Sequence, residues 1–223
     1  MTELKLVVFD VDGTLVDSQA DILGAMSFAF DQVGLKLPDR DTVLGIVGLS
    51  LDVAFARLVP DASVSIRNKL VDAYKGSYRR GRVEKGTSLP SPLYPGARDA
   101  LKHLSGVDEI FLGVATGKSR RGLNKFFEGH GLEGVFQTQQ VSDHHPSKPH
   151  PSMLLTALEE VGVEAGSAVM VGDTSFDMDM AKAAGMAAIG VSWGYHKASA
   201  LTSADIVIDE FHDLRDVLVD MWS

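Results

Sequence analysis

Six short apolar runs constrain the fold of this chain more than any other feature: Leu4–Phe9, Ile110–Ala115, Val135–Val141, Ala168–Val171, Met186–Val191 and Ile206–Ile208. Most are rich in valine and isoleucine and too continuously apolar for a strand with one wet face. Such runs suit strands covered on both faces, the condition of a parallel sheet between helical layers. Helix-like stretches separate them. Ala97–Leu104 follows Pro95-Gly96, Ser119–His130 follows a Thr-Gly-Lys turn, Pro149–Val161 opens on a proline, and Phe176–Ala184 stops at Gly185. From residue 107 onward this alternation predicts an α/β fold with a doubly wound parallel sheet.

The first strand breaks the rhythm, because the residues after it read as helical throughout. Ile22, Ala25, Met26, Ala29, Phe30 and Val33 recur every three or four residues on one helical face, with Asp17 or Ser18 to cap its start and Gly34 its end. Leu51–Val59 and Val64–Arg80 read as further helices, and Gly86–Gly96, with its three prolines, as the return linker. The expected organisation is an α/β core of residues 1–14 and 88–223, with an all-helical domain of residues 15–87 inserted after the first strand.

With 223 residues, 45% hydrophobic and 23% charged, the chain can bury a sizeable core. Lys and Arg number 21 against 30 Asp and Glu, a net charge of −9 with no strongly basic stretch, which argues against a nucleic-acid partner. The absence of cysteine excludes disulfides, thiolate metal sites and cysteine nucleophiles. No apolar run approaches the roughly 20 residues a bilayer requires. The N-terminus lacks the basic and apolar regions of a signal peptide, so a cytoplasmic protein with no membrane partner is expected. The sequence leaves monomer and dimer equally open. An acidic protein handling an anionic substrate needs a local cation, either a metal or a lysine.

Four patterns fall at the carboxyl ends of the expected strands, the edge where open α/β sheets bind ligands. In Val8-Phe9-Asp10-Val11-Asp12-Gly13-Thr14, the aspartates lie two apart, so in extended chain both point the same way. One can serve as nucleophile while the other moves a proton. The plainer alternative is an acidic turn capping the next helix. Ala115-Thr116-Gly117-Lys118-Ser119 places a hydroxyl before a helix start, a phosphate-binding corner or a simple turn. Ser147-Lys148-Pro149-His150-Pro151 can bring an ammonium to the sheet edge, or leave a loop lysine in water. The neighbouring His144, His145 and His150 have no acidic partner pattern and read as solvated rather than metal-binding. In Val171-Gly172-Asp173-Thr174-Ser175-Phe176-Asp177, two carboxylates suit a hard cation such as Mg²⁺, or else cap a helix. Asp179 turns about 200° away from Asp177 on a helix and reads as a surface acid.

Taken together, the charges complement one another. Close carboxylates repel each other and any phosphate, and a dication with Lys148 offsets that repulsion, which makes a phosphoryl-transfer site. On these residues the sequence resembles the haloacid dehalogenase superfamily of phosphohydrolases. The motifs are DVDGT at Asp10–Thr14, Thr116 in ATGKS, Lys148 in SKPHP, and Asp173 with Asp177 in GDTSFD. The stretches FDVDGTLVDS, GLSLDVAFARLVP, LYPGARDAL and VGDTSFDMDMAKAAG resemble its phosphoglycolate phosphatase-like branch. The resemblance implies a Rossmann-like core, a helical cap, Mg²⁺ as cofactor and a small phosphorylated metabolite as substrate. It implies Asp10 as nucleophile and metal ligand, and Asp12 as general acid and base, with a carbonyl on the metal. Thr116, helped by amides near Val11, Asp12 and Gly117, would hold the phosphoryl group. Lys148 would neutralise charge, Asp173 would bind the metal, and Asp177 would support its waters or Lys148.

An acid at Asp12 suits a leaving alcohol rather than a leaving halide, favouring phosphate esters. Further candidates for the cleft are Lys118, Arg57, Arg79, Arg80, Arg82, the Gly45–Gly48 turn, Trp193 and Tyr195, while Tyr74 and Tyr78 read as cap core. A sugar-phosphate mutase would use the same motifs, and a phospho-acceptor signalling module fits poorly with the insert and the chain length.

Overall fold

The computed structural model describes residues 3–85 and 91–223, with no side-chain detail for residues 78–85. Its sheet has six parallel strands, β1 (Lys5–Phe9), β2 (Ile110–Thr116), β3 (Thr138–Val141), β4 (Ala168–Gly172), β5 (Ala187–Val191) and β6 (Ile206–Ile208), in the order β3-β2-β1-β4-β5-β6. The chain grows to one side of β1 through β2 and β3, then crosses to β4 and grows to the other. That reversal opens a crevice at the carboxyl ends of β1 and β4, where Phe9 pairs with Val171 and with Val114 of β2.

Strand side chains alternate between the faces, and each face is covered by helices. Val7, Phe9, Leu112, Val114, Val169, Val171 and Ile189 pack under α5 (Ala97–Leu104), α6 (Arg120–His130) and α9 (Asp213–Met221), through Leu101, Leu123, Phe127 and Leu214. Leu6, Val8, Met170 and Ala188 pack under α7 (Ser152–Val161) and α8 (Ser175–Ala183), through Met153, Leu154, Met178 and Ala181. This coverage of both faces explains why the strands read as continuous apolar runs.

Between β1 and α5 lie α1 (Gln19–Val33), α2 (Arg40–Leu44), α3 (Leu51–Leu58) and α4 (Val64–Lys85). They share their own apolar cluster of Ile22, Met26, Phe30, Leu44, Phe55 and Leu70. Neither the short α2 nor the carboxyl-terminal α9 was expected from the sequence. The expected return linker at 86–96 lies partly outside the described residues, and the side chains of Tyr78, Arg79, Arg80 and Arg82 lie outside them altogether.

Two boundaries differ from expectation for definable reasons. The strand expected from Val135 begins at Thr138, because Phe136 turns onto α6 and stacks on Phe127 with ring centroids 5.3 Å apart. The helix expected from Pro149 begins at Ser152. Lys148 and His150 each precede a proline, which disfavours their helical conformation, and the segment instead closes a turn with His150 N–H donating to Ser147 O at 3.1 Å.

Candidate active site

Asp10 lies just past the end of β1 and is 1% exposed; Lys148 from the turn after β3 is 2% exposed, and Asp173 and Asp177 beyond β4 are fully buried. Lys148 Nζ stands 3.1 Å from Asp10 Oδ1 and 2.6 Å from Asp177 Oδ1, so one ammonium bridges two strand ends. Asp177 Oδ2 accepts from Thr174 N–H at 3.0 Å and from Thr174 Oγ1 at 2.7 Å, within a capping box that starts α8. Both oxygens of Asp177 are therefore engaged, which makes it an anchor for Lys148. Asp173 Oδ1 accepts from Thr14 Oγ1 at 2.9 Å, and its Oδ2 accepts from Tyr195 N–H at 2.8 Å. Gly13 is required here on two counts: its φ is +82°, and a Cβ would lie 2.2 Å from Asp173 Oδ2.

Crowding acids in a dry site raises the cost of ionising them. Burial, opposed by Lys148 and reinforced by Asp177 and Asp12, pushes Asp10 up to about 7. Asp173 is raised by burial, then by Asp177 and Asp10. Burial works against the charge on Lys148, but Asp10 and Asp177 outweigh it and hold the ammonium above its ordinary range.

Asp10, Asp173 and Asp177 each present a carboxylate oxygen, and the three lie within 4.8 Å of one another. Asp10 Oδ2 is buried and has no hydrogen-bond partner. Three carboxylates against one ammonium leave an excess of negative charge, and an oxygen-only donor set with one orphaned oxygen fits a hard divalent cation. Asp10 Oδ2 is the oxygen open to it.

The remaining sequence candidates divide. Val11 N–H, expected to face a phosphoryl group, donates to Asp10 Oδ1 at 2.7 Å. Thr116 is buried at the end of β2, and its Oγ1 accepts from Lys118 N–H at 3.2 Å. Lys118 Nζ pairs with Asp12 Oδ1 at 2.8 Å. The Gly45–Gly48 turn does reach the site: a Cβ on Gly117 would lie 2.7 Å from Gly48 O and 2.9 Å from Leu49 O, and Ser50 N–H donates to Ser147 Oγ at 2.9 Å. Arg57 is exposed and stacks over the Phe176 ring at 5.0 Å. Trp193 packs on Phe211 and donates from Nε1 to Thr14 O at 3.1 Å. Tyr74 meets Phe55 edge-on within the insert's cluster. Both ring nitrogens of His145 are engaged, by Ser152 Oγ and by Gln140 Oε1. Asp179 is exposed and accepts from Ser203 Oγ.

Sequence reasoning missed Ser18 as a site residue. It donates from Oγ to Asp12 Oδ1 and lies 3.1 Å from the Tyr195 hydroxyl. Burial, then the Asp12 carboxylate, raises the Tyr195 phenol above its ordinary range. A serine at a helix start was the one available signal, and it reads first as a cap.

Fold and site together define an α/β enzyme whose buried aspartates and lysine converge at the carboxyl edge of a doubly wound sheet. The chain belongs to the haloacid dehalogenase-like hydrolase family, whose model matches residues 7–191. It is 35% identical over 214 residues to the "Probable phosphatase IndB" of Dickeya dadantii (strain 3937), covering 94% of this chain and 91% of that one. It is 32% identical to a phosphoglycolate phosphatase of Chromobacterium violaceum, covering 98% of each. A crystal structure titled as a predicted phosphoglycolate phosphatase from Haemophilus somnus 129pt superposes with a TM-score of 0.82 at 26% identity, over 97% of this chain and 99% of that one. Among the described residues, no helix is long and apolar enough to cross a membrane.

Proposed function

We propose that this chain hydrolyses small phosphomonoesters through an aspartyl-phosphate on Asp10, with 2-phosphoglycolate as the first substrate to test. The observation that carries the reading is Asp10 itself, a buried carboxylate gripped on Oδ1 by Lys148 and the Val11 amide, with Oδ2 unpartnered and a second acid two residues on. The names of the relatives support the class of reaction.

An Asp10 oxygen attacks phosphorus and the phosphorus–oxygen bond to the leaving group breaks. Asp12 gives its proton to the leaving oxygen, so an alcohol departs rather than an alkoxide. Asp12, now ionised, takes a proton from water as that water attacks phosphorus. The bond to Asp10 breaks, phosphate leaves, and both aspartates are restored. Thr116 and the Gly117 amide hold the phosphoryl oxygens, and Lys148 offsets the charge they share with Asp10. Asp10, Asp173 and the Asp12 carbonyl would hold Mg²⁺, with Asp177 behind Lys148 and the metal's waters. Bound there, the ion withdraws charge from the phosphoryl oxygens and aligns them. Residues 15–87 act as a cap that excludes water while Asp10 attacks, its Gly48–Ser50 segment closing on Gly117.

The test is phosphate release from a panel of 2-phosphoglycolate, sugar phosphates, nucleotides and pyrophosphate, with Mg²⁺ or EDTA, for the wild type and Asp10→Asn. Release that needs the metal and disappears in Asp10→Asn is expected. Full activity in Asp10→Asn contradicts the reading, and conversion of a sugar phosphate to its isomer with little free phosphate replaces it with a mutase.

A further inference from the structure

Ser18 occupies the position before α1 where a serine hydroxyl ordinarily accepts from an amide of the first turn. It makes no such bond. Its Oγ donates instead to Asp12 Oδ1. This choice orders the neighbouring protons. The hydroxyl has one hydrogen and directs it to Asp12, so across the 3.1 Å contact between Ser18 Oγ and the Tyr195 hydroxyl the phenol is the donor. The phenol oxygen in turn accepts from Ser18 N–H at 3.1 Å. The chain runs one way, from Tyr195 to Ser18 to Asp12.

Tyr195 is itself held on both sides. Its N–H donates to Asp173 Oδ2 at 2.8 Å. The next residue, His196, accepts at Nδ1 from Ser175 N–H at 3.2 Å, which leaves Nε2 to donate to Gly45 O of the insert, also at 3.2 Å. One loop after β5 thus touches Asp173, the start of α8, the insert and, through Ser18, Asp12. Lys118 Nζ reaches the same oxygen of Asp12 that Ser18 does.

We infer that Tyr195 is a positioning residue for Asp12: acting through Ser18, it fixes Asp12 Oδ1 and leaves Oδ2 to carry the proton delivered to the leaving group. This rests on the phosphatase reading above and adds to it a residue 183 positions away in sequence from the acid it serves. Tyr195 does not touch the reacting atoms. Its effect is confined to steps that need a well-aimed acid.

The test compares kcat/KM for two monoesters in Mg²⁺. One is 2-phosphoglycolate or whichever alkyl ester the panel ranks first, whose leaving oxygen needs a proton. The other is p-nitrophenyl phosphate, whose phenolate leaves without one. Tyr195→Phe keeps the ring and the backbone bond to Asp173. The ratio of alkyl to aryl kcat/KM is expected to fall roughly tenfold in Tyr195→Phe and at least as far in Ser18→Ala, part of the roughly 100- to 10,000-fold that a general acid contributes, because Asp12 itself remains. Because Tyr195 acts through Ser18, the double variant should be no worse than Ser18→Ala alone. An unchanged ratio in Tyr195→Phe overturns the proposal, whether both esters slow together, as a merely structural role would have it, or neither does. Full additivity in the double variant overturns the route through Ser18. A folded wild type that cleaves neither ester removes the phosphatase reading itself, and the role of Tyr195 with it.

Discussion

Leaving one oxygen of a buried carboxylate without a partner costs free energy, and Asp10 Oδ2 is in that condition. The raised value of Asp10, about 7, means the folded chain holds its proton more tightly than the unfolded chain does. For a group shifted in this direction, the stabilising contribution is complete at low pH and is lost as pH rises from about 4 to about 7. Asp10→Asn cannot titrate. In EDTA, melting curves should therefore show the variant gaining on the wild type as pH rises through that window; a difference that does not change with pH contradicts the assignment. Asp10, Thr116 and Asp173 were legible as candidates in the sequence because each sits where an apolar run stops, and Lys148 because it falls in the turn that follows one. Ser18 and Tyr195 were not paired in it. Their contact spans 177 residues and depends on how the loop after β5 crosses back to α1.

At the scale of elements, the insert's cluster and its close approach to the core can be tested separately. Phe55 is fully buried and meets Phe30 and Tyr74, each with ring centroids 6.2 Å away. Phe55→Ala should cost about 3–5 kcal/mol of unfolding free energy in urea, as for other large-to-small core changes. A cost near zero would mean that the helices between β1 and α5 do not share a packed core. Gly117 lies where β2 hands over to α6, and a Cβ there would meet the backbone of Gly48 and Leu49. Gly117→Ala should lower kcat/KM roughly tenfold or more while leaving the melting temperature nearly unchanged, because in the proposed function displacing Gly48 and Leu49 disturbs the reaction before it disturbs the fold. The strands were largely legible as continuous apolar runs, and the helices from their periodicity, caps and stops. The misplaced starts of β3 and α7 had local causes, the turning of Phe136 onto Phe127 and the paired prolines around His150. The short α2, capped by Asp39 accepting from Thr42 N–H at 2.9 Å, is too brief to leave an amphipathic signature.

For the whole molecule, the sheet order decides where chemistry can occur. The reversal at β1 brings residues from the ends of β1, β2 and β4, and from the loops after β3 and β5, to one crevice, where the Gly48–Ser50 segment meets Gly117 and Ser147. The continuous apolar runs, alternating with helix-like stretches, made this architecture legible, since a sheet covered on both faces suits them. The Gly45–Gly48 turn was legible as a candidate for the cleft, but its partners at Gly117 and Ser147 were not, because two backbones meeting leave no side-chain pattern. The most direct test of Asp10 as the phosphoryl acceptor is the mass of an Asp12→Asn variant incubated with p-nitrophenyl phosphate and Mg²⁺. That ester needs no acid to leave, whereas release of the phosphoryl group from Asp10 needs the base that the variant lacks. The expected result is one added phosphoryl group, on the peptide containing Asp10 and absent from the Asp10→Asn/Asp12→Asn double variant. Wild-type turnover of the same ester with no adduct in Asp12→Asn, or an adduct elsewhere in the chain, would contradict it.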